Sequence, residues 1–564
     1  MVGRQPELEA QRPEGLVLGT EQGASTPLGF WTYVDPQRYL QLDDVVHVTS
    51  PLPDGQAVDF YGVVDELRAV QEGVRFASDV ALASSGVLPA ESAVSAHVSV
   101  TRVEPEIFVP PRPGEAVRRA HAAARDRALF FDAMERRLPV GLSRSGEPIF
   151  ANLDFLDGTR GAHVNISGVS GVATKTSYAM FLLYSLFGSG VLGHETANTR
   201  ALVFNVKGED LLFLDKPNAG LPEAERVRYS DLDLEAAPFP SLRLFAPAAR
   251  GDQPVPLTGS RMDGVTGFYW TLREFCAERY LRFLFADADD ERSQLGFVVQ
   301  RVESELALAA RLSLPLDAPT VEIGGELVTD FDELVDAIGR MTDPDEGAWG
   351  GRAAPGTVSA FMRRLEAAKP HVGQLIRGLA SEDAERHRIE TGGAQVTVVD
   401  IHRLHDRAQR FVVGVVLKRE FERKEASGSP RPLMLVVLDE LNKYAPREGQ
   451  SPIKDVLLDI AERGRSLGVV LIGAQQTASE VEPRVVANCA LRVVGRLDAA
   501  EAQRGEYGFL TPAARARASL LKPGTMILQQ PEIPVPLLLQ FPYPAWATRP
   551  AEAATTADPF ARFE

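Results

Sequence analysis

Leu433-Met-Leu-Val-Val-Leu438 is a run of six apolar residues closed by Asp439-Glu440. A strand with no polar residue on either side must be covered on both faces. The run therefore reads as a fully buried strand of a parallel sheet, with helices packed above and below. Parallel neighbours need long crossovers, and the flanking sequence alternates accordingly. Val396–Asp400, Gly468–Ala474, Ala490–Val494 and Thr525–Leu528 read as further strands, and Arg410–Lys424 and Ile453–Ser466 as helices. Upstream, the strand that ends at Gly168, a helix over Tyr178–Phe187 and the strand Ala201–Asn205 form a βαβ unit. That helix is apolar on nearly all sides, as a helix buried against a central sheet should be.

In such sheets ligands collect at the C-terminal ends of the strands, and here those ends carry chemistry. In His163-Val-Asn-Ile-Ser-Gly168-Val-Ser-Gly171-Val-Ala-Thr-Lys175-Thr176-Ser177 a strand runs through a loop of small residues into a helix that opens with Lys-Thr. This is the arrangement that cradles phosphates on backbone N–H groups and a helix N-terminus. Gly168, Gly171, Val172, Ala173, Thr174, Lys175, Thr176 and Ser177 are the residues expected around a nucleotide. The spacing is irregular: Gly168 is one residue too far from Lys175, and Thr174 replaces the second glycine. Gly171 should then lie nearest the phosphates, with the extra residue bulged outward. The plainer alternative is an ordinary strand-to-helix turn with a surface lysine.

The neighbouring strand ends supply Lys207-Gly208-Glu209, Asp439-Glu440 and Gln475. Each has a place in nucleoside triphosphate hydrolysis. Lys175 would hold the β- and γ-phosphates, Thr176 and Asp439 would position Mg²⁺, and Glu440 would take a proton from the attacking water. Gln475 would sense the γ-phosphate or the water, and Asn205 and Glu209 could reach in from the adjacent strand. The transition-state cation would come from another subunit: Arg463 or Arg465, with Arg484 and Arg492 as further candidates. A head-to-tail contact of that kind closes most naturally as a ring. For each arginine the alternative is a surface residue at a helix end or strand.

The chain has 564 residues, 45% hydrophobic and 24% charged, with net charge −17. The composition is that of a soluble globular protein with material for several cores. The charge argues against coating nucleic acid with the whole surface, but not against a basic channel lining. Two separated cysteines, Cys276 and Cys489, exclude a disulfide framework or zinc cluster and read as buried small hydrophobes. The longest apolar run is far short of the roughly 20 residues of a membrane span, and no signal-peptide core is present, so a cytoplasmic location is expected.

Residues 1–110 read as a small β-barrel assembly module, with strands at Leu16–Leu18, Gly29–Val34, Val45–Val48, Val58–Val64 and Val94–Val103. Gly62, within Tyr61-Gly-Val-Val-Asp65, marks a close approach of another backbone. Residues 111–254 begin the nucleotide-binding domain, with a charged helix over Glu115–Arg137 and a β-pair, Pro139–Leu142 with Pro148–Leu153. Residues 255–390 read as a helical insertion, including a helix over Val358–Lys369 stopped by Pro370. Residues 391–548 complete the domain, and 549–564 read as a mobile tail.

Taken together, about residues 16–540 resemble a HerA-type ATPase, in the HerA–FtsK branch of P-loop motors. His163–Ser177 resembles the family's P-loop, Phe204–Asp210 its strand with a Gly-Glu motif, and Leu433–Pro446 its Asp-Glu strand. Glu462–Gly468 resembles its arginine segment and Gly473–Thr477 its glutamine sensor. The resemblance implies an α/β, RecA-like P-loop motor with a parallel-rich central sheet, an N-terminal small β-barrel and a helical insertion. It further implies a hexameric, ATP- and Mg²⁺-dependent translocase or helicase that threads double-stranded DNA through its ring. Relatives work with a nuclease, typically NurA-type, in DNA end processing for repair, and related proteins serve in phage defence. Lys443, Arg447, Lys454, Arg403, Arg407 and Arg410 would contact DNA from pore loops, or be solvated surface charge. Asn205 stands where many relatives have Asp. The other reading is a hydrolysis-poor nucleotide-binding scaffold that assembles a nuclease; a protein-moving secretion motor is a third.

Overall fold

The computed structural model describes residues 12–553 apart from 22, 73, 75, 89, 170–173, 252–253, 286–293, 314–317, 344, 346–347 and 379–383. The chain divides into two compact units, one of residues 1–153 and 492–540, the other of 154–491 and 541–564.

The first unit contains a closed barrel. Its strands in spatial order are Gly15–Val17, Gly29–Val34, Ser92–Glu104, Ala57–Gln71, Val45–Pro51 and Ala116–Arg119. Alternating residues, among them Phe30, Val46, Val48, Val58, Phe60, Val98 and Val117, fill its interior. Register shifts at Tyr61/Gly62 and Val64/Glu66 bend the longest ribbon. A Cβ on Gly62 would stand 2.6 Å from the Ser99 carbonyl oxygen, the close backbone approach that the sequence leads one to expect. Closure corrects one expectation. Glu115–Arg137 is not one helix. Ala116–Arg119 is the sixth strand, paired with both Gly15–Leu16 and Val46–His47. Only Ala123–Ala128 is α-helical in that stretch, and Ala122 and Phe130, at φ +47° and +57°, break the helical path. Burying Val117 to close the barrel outweighs the helical bias of the charged residues around it. This unit also holds the expected β-pair, Arg137–Leu142 with Pro148–Asn152, in an antiparallel arrangement with Leu537–Gln540 and Thr525–Gln529.

The second unit is built on parallel strands. Their order is Val265–Phe268, Leu242–Pro247, Val396–Asp400, Arg200–Asn205, Met434–Asp439, Val469–Gln475 and Val164–Ser167. All six residues of Met434–Asp439 are buried, as the apolar run requires. The helix Thr174–Gly188 is buried on most sides. Tyr178, Phe181 and Tyr184 stack against Tyr229, Phe541 and Trp546, so the C-terminal return of the chain covers it.

Three expectations change in this unit. Val265–Phe268, inside the segment read as helical, is a sheet strand, although Gln294–Leu312, Phe331–Thr342 and Pro355–Val372 are helices. Pro370 does not stop its helix, which closes two residues later, where only one backbone bond is forfeited. Of the tail expected over 549–564, Pro550–Ala553 is helical rather than loose, with the Glu552 carbonyl accepting from Ala219 N at 3.0 Å, and 554–564 lies outside the described residues. Both cysteines are buried free thiols. Among the described residues no helix is long and apolar enough to cross a membrane.

Candidate functional site

The parallel order brings the ends of non-consecutive strands together. Met434–Asp439 lies between Arg200–Asn205 and Val469–Gln475, and Val469–Gln475 in turn pairs with Val164–Ser167. Polar residues just beyond apolar strands therefore converge at one edge.

Lys175 and Thr176 lie in the first turn of the helix Thr174–Gly188. Lys175 is buried, and its Nζ donates to the Gly168 carbonyl at 2.8 Å. Burial and, secondarily, repulsion from Lys207 hold its ammonium below the ordinary lysine value against the pull of Asp439 and Glu440. Thr176 Oγ1 donates to Asp439 Oδ2 at 3.0 Å across 263 residues of sequence. Hydroxyl and carboxylate are hard oxygen donors of the kind Mg²⁺ takes alongside phosphate oxygens, so this pair fits that ion. Ser177 is half-buried behind them. Gly171, Val172 and Ala173, and with them the expected outward bulge, lie outside the described residues.

Glu440 adopts the left-handed conformation at φ +56°, sparsely populated for a non-glycine residue, and its N–H donates to Asp439 Oδ1 at 2.8 Å. Its carboxylate accepts from Lys207 Nζ and from Gln476 Nε2, the latter at 3.3 Å. Burial raises the Glu440 carboxyl, but the Lys207 and Gln476 bonds outweigh it and hold the group below its ordinary range.

Gln475 is fully buried. Its Nε2 donates to Ser167 Oγ at 3.0 Å, Ser167 Oγ donates to Asn165 Oδ1 at 3.1 Å, and the Gln475 carbonyl accepts from Gly168 N at 3.1 Å. Gln475 thus braces the strand Val164–Ser167, while the next residue, Gln476, meets Glu440. Successive side chains of a strand point to opposite faces, which separates the two glutamines. His163 opens the loop strand at φ +66° and accepts from Leu471 N at 2.9 Å. Burial holds its imidazole down to about 4, so it is a neutral structural acceptor.

Asn205 and Glu209 turn elsewhere. Asn205 Nδ2 donates to the Gly208 carbonyl at 2.9 Å and to Asp400 Oδ1 at 2.8 Å. Glu209 accepts from Gly259 N at 2.6 Å and Ser260 N at 2.9 Å and lies 3.8 Å from His402 Nε2. His402 Nδ1 meets Asp400 Oδ1 at 2.8 Å. Motif reasoning names Lys207 with its strand end but misses Gln476, Asp400 and His402. These three also stand at or just past strand C-terminal ends, so reading every such end would have found them.

The candidate arginines have other partners. Arg463 bonds Glu425, Arg465 donates to the Gly158 and Thr159 carbonyls, and Arg484 pairs with Glu482 and Glu462. Arg492 lies over the Phe509 ring. Of the cations expected at a pore, Lys454 is buried against Glu482 and the Arg447 and Gly449 carbonyls, which removes it from the surface. Lys443 pairs with Asp406 and Gln409, Arg410 with Asp406, Arg403 with the Thr258 carbonyl and Arg447 with the Ser479 carbonyl.

No family model and no curated protein matches the chain. Solved structures do. VirB4 of Thermoanaerobacter pseudethanolicus is 13% identical over 74% of this chain and 99% of its own, at a TM-score of 0.44. Plasmid coupling protein TrwB, in complex with a non-hydrolysable ATP analogue, is 13% identical over 74% and 94%, at 0.45. The genome packaging NTPase B204 from Sulfolobus turreted icosahedral virus 2 is 14% identical over 26% and 67%, at 0.20. At these scores the likeness carries no functional inference.

Proposed function

We propose that this chain hydrolyses ATP at the Lys175–Glu440 cluster and uses the cycle to drive double-stranded DNA through a ring of its own copies, a hexamer of HerA type. What carries this reading is the junction of Thr176 with Asp439 beside Glu440, which joins a helix-start Lys-Thr to an Asp-Glu strand end. A plain strand-to-helix turn has no need of that junction.

The helix N-terminus and loop amides hold the phosphates, and Lys175 turns from the Gly168 carbonyl onto the β- and γ-oxygens. Thr176 and Asp439 would hold Mg²⁺, which would supply positive charge against the phosphates. Glu440 takes one proton from a water. The water oxygen bonds to the γ-phosphorus, the bond to the β–γ bridging oxygen breaks, and ADP leaves with its electron pair. Glu440 then returns the proton to solvent. Gln475 keeps the loop strand in register, and an arginine of a neighbouring copy, Arg463 or Arg465, meets the transition-state charge. Lys443, Arg403, Arg407 and Arg410 would follow the DNA backbone without reading sequence. A NurA-type nuclease in DNA end processing, in repair or defence and in the cytoplasm, is the partner this reading favours.

The test is ATP turnover with and without double-stranded DNA, for the natural chain and for Glu440→Gln. DNA-stimulated turnover that the substitution abolishes is expected. No stimulation, or unchanged turnover in the variant, overturns the reading. ATP binding with no turnover in the natural chain would favour a scaffold that assembles a nuclease.

A further inference from the structure

We infer that Lys207 is the residue through which this site registers the γ-phosphate: it holds Glu440, and an arriving γ-phosphate draws it away, freeing Glu440 to take the proton of the attacking water. This rests on the ATPase reading of the same site.

The contact joins the ends of two paired strands, Arg200–Asn205 and Met434–Asp439, whose residues Phe204 and Leu438 are in register. The turn that carries Lys207 is fixed. Gly208 sits at φ +60° with its carbonyl held by Asn205 Nδ2 at 2.9 Å, and the Glu209 carboxylate is clamped by the N–H groups of Gly259 and Ser260. Glu440 is fixed as well, at φ +56° with its side chain 16% exposed. The mobile partner is the lysine: its side chain is 48% exposed on a flexible four-carbon stem.

Charge supplies the trigger. Lys207 contacts Glu440, and Asp439 beside it accepts from Thr176, the neighbour of Lys175, so both cations border the strand end where the phosphates would sit. Among the described residues a single carboxylate, that of Glu440, holds Lys207. A γ-phosphate brings more negative charge and several acceptor oxygens to the same neighbourhood, whereas ADP ends one phosphate short. While held, Glu440 is a poor base, because the Lys207 ammonium occupies its carboxylate. Gln476 also bonds Glu440, so releasing the lysine leaves the carboxylate still aimed.

The experiment compares Lys207→Met and Lys207→Arg with the natural full chain, by titration with a non-hydrolysable ATP analogue and with ADP. For Lys207→Met, analogue affinity should fall about tenfold while ADP affinity changes less than about twofold. Lys207→Arg should restore much of the discrimination between the two nucleotides. Equal losses for both nucleotides would mean a merely structural ion pair and overturn the inference. If Glu440→Gln abolishes turnover and Lys207→Met shows those equal changes, only the role of Lys207 falls. If the natural chain turns over no ATP, the ATPase reading falls, and the two titrations still decide whether Lys207 senses the γ-phosphate.

Discussion

Two Asp–His pairs in this chain have opposite character. In the barrel, Asp65 uses both oxygens: Oδ1 meets His97 Nδ1 at 2.6 Å and Oδ2 accepts from Ser99 Oγ at 2.6 Å. Burial alone would raise its carboxyl, but these bonds outweigh it and hold the group below the ordinary aspartate value. Beside the candidate site, Asp400 places both partners, His402 and Asn205, on Oδ1, and among the described residues its buried Oδ2 has none. Burial there wins and raises the carboxyl. Gln475 Oε1 and Asn165 Nδ2, on neighbouring strands, are likewise buried without partners among the described residues. The barrel pair is finished structure. The strand ends carry polar groups that the fold leaves unanswered, and such groups persist where function or strain requires them.

The sharpest contrast should come from substituting one carboxylate in each region. Glu440→Gln is expected to lower ATP turnover by about 10²–10⁴-fold with little change in melting temperature, measured by phosphate release and calorimetry. Asp65→Ala should do the reverse, costing roughly 1–3 kcal/mol in denaturant unfolding while turnover per folded molecule is kept. If Asp65→Ala instead abolished turnover, the division between finished and functional pairs would fail.

Acidity separates the pairs next. The lowered Asp65 carboxyl contributes stability that is present above the ordinary aspartate value, near 3.8, and lost as pH falls through its folded value. His402, raised chiefly by its bond to Asp400, contributes stability present below the ordinary imidazole value, near 6.5, and lost as pH rises through its folded value. Melting curves of Asp65→Ala and His402→Ala against pH should therefore converge on the natural chain at opposite ends, the first in acid and the second in alkali.

The smallest effect is expected for Asp400→Asn, which keeps an acceptor for Asn205 and His402. Its stability cost should be under about 1 kcal/mol, and the His402 imidazole should titrate closer to its ordinary value in an NMR titration. A cost as large as that of Asp65→Ala would show that the Asp400 pair is also finished structure.

Much of the sheet was legible because fully buried strands carry their own signature. Leu433–Leu438, Ala201–Asn205 and Val396–Asp400 are apolar runs of strand length, and each is a strand. Leu242–Pro247 escaped notice because Arg243 interrupts its apolar pattern near the start. Val265–Phe268 is short and bears Thr266 and Gly267, so only pairing with Leu242–Pro247 marks it as a strand. The Glu115–Arg137 stretch misled because its composition favours a helix, whereas barrel closure calls for Val117 in a strand. At the site, Lys175, Thr176, Asp439 and Glu440 could be named from motif chemistry. Lys207, Gln476, Asp400 and His402 could be placed at strand ends, but their roles could not be named, since those lie in whom they meet.

The sequence by itself determined that this chain builds a buried parallel sheet and that Lys-Thr, Asp-Glu and glutamine stand where strands end, because run length and residue type are local properties. Only the tertiary structure decided which ends are neighbours. Parallel pairing requires long crossovers, so spatial order need not follow chain order, and Thr176 meets Asp439 from 263 residues away. It also decided that Lys207 rather than solvent holds Glu440, since that contact exists only once Arg200–Asn205 and Met434–Asp439 lie side by side.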